Sequence, residues 1–101
     1  MGHVTGVAVE RVEDLEGFML EVARRCGFNV RTVASEQFYP VGATTVLVLA
    51  ESHFSCHTYP EEGTVYMDVF CCSPTFNPLQ CAKTIETVFS AKKGNWRVVR
   101  R

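Results

Sequence analysis

Two short segments constrain this chain most: Thr44 to Ala50, a run of β-branched and leucine residues, and Thr64 to Cys72, which alternates. The longest apolar run, Val46 to Ala50, is far too short to span a bilayer as a helix. Turn residues bound the two segments, Pro40-Val41-Gly42 before the first and Pro60-Glu61-Glu62-Gly63 before the second. Such runs read as strands, because branched side chains fit a pleated surface better than the crowded face of a helix. The two are expected to form a hairpin-like pair around the polar segment between them.

Three more segments read as strands: His3 to Arg11, which alternates loosely and is rich in Val, Asn29 to Ala34, and Trp96 to Val99. Between the first two, Leu15, Phe18, Met19, Val22 and Cys26 recur at helical spacing, and Gly27 stands where a left-handed cap belongs. Asn77-Pro78 opens a second helix reaching about Lys92, with Pro at its first turn. The order strand, helix, strands, helix, strand predicts an α+β two-layer sandwich, with both helices on one face of a largely antiparallel sheet. The whole chain, 1–101, reads as one domain.

The other sheet face also needs a cover. Val46, Val48, Val65, Val69 and Phe70 crowd the central strands with no further helix to bury them. A domain this small is marginal alone, so the sheet of a second copy is the economical cover and a homodimer is expected. A formal net charge of -1 creates no field that would gather nucleic acid or anionic lipid. The basic residues Lys92, Lys93, Arg97, Arg100 and Arg101 lack the interleaved aromatics of a single-strand platform and read as a solvated edge. Five cysteines, two of them adjacent, give no disulfide framework, and the N-terminus lacks the layout of a signal peptide. A reducing, cytoplasmic setting is expected.

The segment Ala50 to Glu61 packs two His, two Ser, a Cys and two Glu around a strand-to-turn region. It permits a bland reading, a polar hairpin end with satisfied histidines. It also contains transition-metal ligand types, but Cys56 would point away from His53 and His57 on a strand, and no metal is expected. The third reading is by resemblance. Glu51-Ser52-His53-Phe54-Ser55-Cys56-His57-Thr58-Tyr59-Pro60-Glu61 closely resembles the processing site of prokaryotic-type S-adenosylmethionine decarboxylases, Ala-Glu-Ser-His followed after a short variable stretch by His-Thr-Trp-Pro-Glu. Phe38-x-Pro40-x-Gly42 upstream and Asp68-Val69-Phe70-x-Cys72 downstream extend the resemblance over nearly the whole chain.

The resemblance implies a proenzyme that cleaves itself between Glu51 and Ser52 into a β chain, 1–51, and an α chain, 52–101, whose first residue becomes a pyruvoyl cofactor. Ser52 would attack the Glu51 carbonyl to make an ester. His57 would then remove the Ser52 α-proton, a task imidazole suits near neutral pH. Thr44 stands where the family has a serine that assists processing. The pyruvoyl carbonyl would form a Schiff base with the amine of S-adenosylmethionine and draw electrons from the leaving carboxylate. Cys72 matches the family's proton donor, and its neighbour Cys71 faces the other way with a packing role. Phe38 and Tyr59 match aromatics that sandwich adenine, and Glu61 matches the carboxylate that binds the ribose hydroxyls. The implied role is supply of aminopropyl groups for spermidine and other polyamines.

This sequence departs from the pattern in Tyr59 for Trp, Glu36 for a frequent His, Cys71 for Thr and Ser73 for Gly. These departures keep two alternatives in view. One is the same pyruvoyl chemistry applied to arginine or ornithine. The other is an unprocessed homologue acting as a binding or regulatory partner.

Overall fold

The computed structural model describes residues 1–50, 52–71 and 76–98. Its elements are β1 (Gly2–Thr5), α1 (Val12–Cys26), β2 (Val30–Gln37), β3 (Ala43–Leu49), β4 (Ser52–Tyr59), β5 (Thr64–Phe70), α2 (Pro78–Val88) and β6 (Lys93–Trp96). The strands form one six-stranded sheet in the order β2-β3-β4-β5-β1-β6. Every neighbouring pair is antiparallel.

Helix α1 follows the sequence closely. Leu15, Met19, Val22 and Ala23 are buried on one stripe, while Glu13 and Asp14 in the first turn and Arg24 and Arg25 in the last complement the helix dipole. Gly27 ends it at φ 74°, a left-handed conformation in which Phe28 N–H donates to the Ala23 carbonyl at 2.8 Å. The N-terminus of α1 is capped from outside: the Gln37 side-chain oxygen accepts from Val12 N–H at 2.7 Å. The amide nitrogen of Gln37 donates to the carbonyls of Glu10, Phe38 and Gly42. One side chain thereby ties the helix start to the 38–42 loop.

Helix α2 starts where the sequence predicts, with Asn77 accepting from Gln80 N–H at 3.1 Å and Pro78 in the first turn. It stops at Val88 rather than near Lys92. Ser90 takes a positive φ of 52° and Ala91 N–H turns back to the Glu86 carbonyl, which closes the helix four residues earlier than expected.

The strands differ from expectation in four ways. β1 ends at Thr5, because Gly6 turns the chain at φ 77°. β2 runs on to Gln37, and β6 lies at Lys93–Trp96, earlier than expected, while Val99 is outside the described residues. The largest difference is β4. Thr44–Ala50 and Thr64–Cys72 do not pair with each other; the intervening segment is itself a strand that pairs with both.

Both helices pack on the same side of the sheet, and the core lies between. Val4, Leu47, Phe54, Cys56 and Val65 point into it with no exposed surface, together with Leu15, Met19 and Ile85. Val65, expected on the face away from the helices, therefore sits beneath them. The opposite face carries Thr44, Val46 and Val48 of β3, His53, Ser55, His57 and Tyr59 of β4, and Tyr66, Asp68 and Phe70 of β5. Val48, Tyr59 and Tyr66 there are more than 40% exposed.

Candidate active site

The open sheet face carries Thr44, His57 and Tyr59 of the expected site residues, because β3 and β4 pair in one register. Thr44 stands directly opposite His57, and Thr44 Oγ1 lies 2.9 Å from His57 Nδ1. With Nδ1–H donating to that oxygen, the imidazole keeps the lone pair of Nε2 for a proton. A hydroxyl and a base are thus held as a unit on a rigid pair of strands. Tyr66, opposite His57 on the other side, packs its ring against Tyr59 edge-on at 5.4 Å and against His3 at 5.3 Å. His3 Nε2 lies 3.2 Å from the Asn95 side-chain amide. His3, Tyr66 and Asn95, with Ser55, His57 and Asp68, line a shallow concavity of about 480 Å³.

Two turns meet at the His57 end of β4. Gly42 takes φ 108°, a conformation L side chains rarely adopt, and a β-carbon there would be in ordinary contact with the Thr58 carbonyl oxygen at 3.4 Å, Pro60 Cδ at 3.8 Å and Phe38 Cβ at 3.9 Å. The 38–42 loop is further fixed by Ala43 N–H donating to Thr58 Oγ1 at 2.8 Å. Phe38 and Tyr59 each remain about half exposed on this shared corner (47% in both cases). Glu61 is exposed in the Pro60–Gly63 turn, where Glu62 and Gly63 N–H donate to the Tyr59 and Pro60 carbonyls.

Ser52 lies at the other end of β4. It pairs with Leu49, so only Ala50 and Glu51 separate β3 from β4 in the chain. Five steps of extended strand put roughly 17 Å between Ser52 and His57, and alternation sends their side chains to opposite faces. Within one chain the two are not brought together. Glu51 and Cys72 lie outside the described residues. Cys71 lines the cavity beneath α2 with Phe76, Cys81 and Ile85, on the helix side of the sheet.

Sequence reasoning missed the pair next to Ser52. His53 Nε2 lies 3.3 Å from Asp68 Oδ2, the imidazole stacks on Phe70 at 5.8 Å, and Asp68 Oδ1 is 3.8 Å from the Met1 amino group. The local signal was the two-residue period of His53, Ser55, His57 and Tyr59, which puts all four on one face. Among the described residues no group of three His, Cys, Asp or Glu side chains could hold a metal ion, and no helix is long and apolar enough to cross a membrane. Complete burial pushes the Cys56 thiol up, away from any reactive form. On the helix side, hydrogen bonding from Cys81 and then Thr84 holds Cys26 down at about 7.

The S-adenosylmethionine decarboxylase profile matches residues 2–101. An S-adenosylmethionine decarboxylase proenzyme of Symbiobacterium thermophilum is 39% identical over 98 residues, covering 94% of this chain and 74% of the relative. That of Brevibacillus brevis is 37% identical over 91 residues, covering 87% and 68%. The crystal structure of the adenosylmethionine decarboxylase from Aquifex aeolicus superimposes with a TM-score of 0.80 at 29% identity, over 93% of this chain and 80% of that one. The half-covered sheet, the Thr44–His57 pair and the Ser52 hairpin therefore belong to a member of the S-adenosylmethionine decarboxylase family.

Proposed function

We propose that this chain is a pyruvoyl-forming proenzyme that removes carbon dioxide from S-adenosylmethionine, and that two copies share each active site across their open sheet faces. The observation that carries this reading is the separation along β4. His57 is oriented as a base by Thr44, yet its own Ser52 is at the far end of the strand on the other face. A two-fold axis crossing β4 between those ends lays the Ser52 end of one copy over the His57 end of the other. The exposed Val48, Tyr59 and Tyr66 favour such a cover, since they become the apolar part of the interface.

The hairpin suits self-cleavage. Ser52 Oγ attacks the Glu51 carbonyl carbon, the peptide C–N bond breaks, and an ester joins the two residues. A second copy's His57 removes the Ser52 α-proton, Glu51 leaves as a carboxylate, and water replaces the nitrogen of the residual enamine as ammonia departs. The cut falls in the two-residue connection and severs no register pair of β3 with β4, so the ladder keeps both fragments in place. A pyruvoyl group supplies an electron sink for the bond to the departing carboxylate. This chain's own residues do the rest: Phe38 and Tyr59 offer π-faces to the adenine and the sulfonium, worth roughly 1–3 kcal/mol per stacked base, and Glu61 accepts from the ribose hydroxyls. Cys72 returns a proton to the substrate carbon.

The experiment is co-expression of two inactive chains, Ser52→Ala and His57→Ala. Shared sites regenerate one intact site per mixed dimer, so roughly half of the His57→Ala chains are cut when the two are equally abundant. Mass spectrometry reads the fragments. Persistence of every His57→Ala chain at full length overturns the shared site. Release of carbon dioxide from carboxyl-labelled S-adenosylmethionine by the cut protein checks the substrate, and arginine and ornithine serve as competing substrates.

A further inference from the structure

Cleavage turns Ser52 from the middle of a hairpin into the free end of a strand, and free strand ends fray. We infer that His53, held by Asp68 and Phe70, is the anchor that keeps the cut end of β4 in register, with Asp68 as its positioning residue. The inference rests on the self-cleavage proposed above and goes beyond it. His53 supplies the amide through which the converted Ser52 stays attached to the chain, so any drift of His53 moves the reacting carbonyl with it.

The geometry fits an anchor better than a reacting group. The imidazole is held twice, by its stack on Phe70 at 5.8 Å and 23° and by Asp68 Oδ2 at 3.3 Å from Nε2. Both partners come from β5, which cleavage leaves untouched. The backbone at His53 pairs with Val48 on one side and Phe70 on the other. Before cleavage the hairpin connection also confines Ser52, and the side-chain grip adds little. After cleavage that covalent confinement is gone, and His53 is the first residue whose side chain can hold the strand end to β5. Asp68 also carries the nearby Met1 amino group at 3.8 Å, so its carboxylate is oriented from two sides.

The test compares the cut protein with the uncut Ser52→Ala protein by amide hydrogen exchange over residues 53–56. Asp68→Asn, which keeps shape and stacking, is expected to speed exchange there roughly three- to tenfold in the cut protein and to leave it unchanged in the uncut one. His53→Ala is read the same way and shows the larger change. In parallel, kcat for S-adenosylmethionine falls roughly tenfold in His53→Ala while KM moves little, because the substrate's binding groups lie elsewhere. Equal acceleration in cut and uncut proteins, or none in either, overturns the inference. Should His53→Ala fail to cut, Asp68→Asn alone decides on the same exchange comparison. An unmodified chain that never cuts itself is a separate result, which removes the cleavage reading and leaves no strand end to anchor.

Discussion

The two faces of this sheet are made by the same strands and do different work. On the helix side, Val4, Leu47, Phe54 and Val65 have no exposed surface and close a core with Leu15, Met19 and Ile85. On the open side, one residue along in each strand, stand His3, Val46, Val48, His53, Ser55, His57 and Tyr66. A strand alternates sides at every residue, so neighbours such as Cys56 and His57 face the core and the open side separately. The difference teaches that register is the functional variable: a slip of one residue in β4 would bury His57 and expose Phe54.

The largest effect that tests this division is His57→Ala. Losing a positioned base slows self-cleavage by about 10²–10⁴-fold, while the unfolding free energy changes by less than about 0.5 kcal/mol, as for an exposed polar site. Gel or mass analysis of the cut fraction over time gives the first quantity and urea unfolding the second. A stability loss of several kcal/mol would break the contrast.

Phe54→Ala is the mirror experiment on the adjacent side. Phe54 is fully buried, and its truncation leaves a cavity between the sheet and the helices, for a loss of about 3–5 kcal/mol. Urea unfolding in the Ser52→Ala background keeps the chain in one covalent form. Retained stability would show that the helix side is not the load it is taken to be.

How much of this was legible follows from the same alternation. The end of α1 and the start of α2 could be read locally, because Gly27 and Asn77-Pro78 state their backbone roles within a few residues. β4 could not, because its inward set, Phe54, Cys56 and Thr58, is only weakly apolar and its outward set is dense in His and Ser, so the segment read as a strand-to-turn region rather than a full strand. Thr44, His57, Phe38, Tyr59 and Glu61 were named through resemblance, yet their meeting at one end of β4 depends on strand pairing that no local pattern reports. The His53–Asp68 contact spans 15 residues and two strands, and only the β4–β5 register creates it.

The finest test of the two faces is Thr44→Val, since it removes a hydroxyl without changing the shape of a strand residue. Thr44 contributes its oxygen to His57 at 2.9 Å on the open side. Losing that bond frees the imidazole to rotate, and an interaction worth about 0.5–1.5 kcal/mol corresponds to a cleavage rate about two- to tenfold lower. Val favours strands at least as well as Thr, so unfolding free energy stays level or rises by less than about 1 kcal/mol. Thr44→Ser, which returns the oxygen, should restore most of the rate and give back a few tenths of a kcal/mol of stability, about the β-branching it lacks. Opposite signs for rate and stability at one residue separate the two faces more sharply than either large truncation. Equal cleavage rates in Thr44→Val and the parent would mean that the sheet alone orients His57, and that the hydroxyl is a bystander on the reacting side.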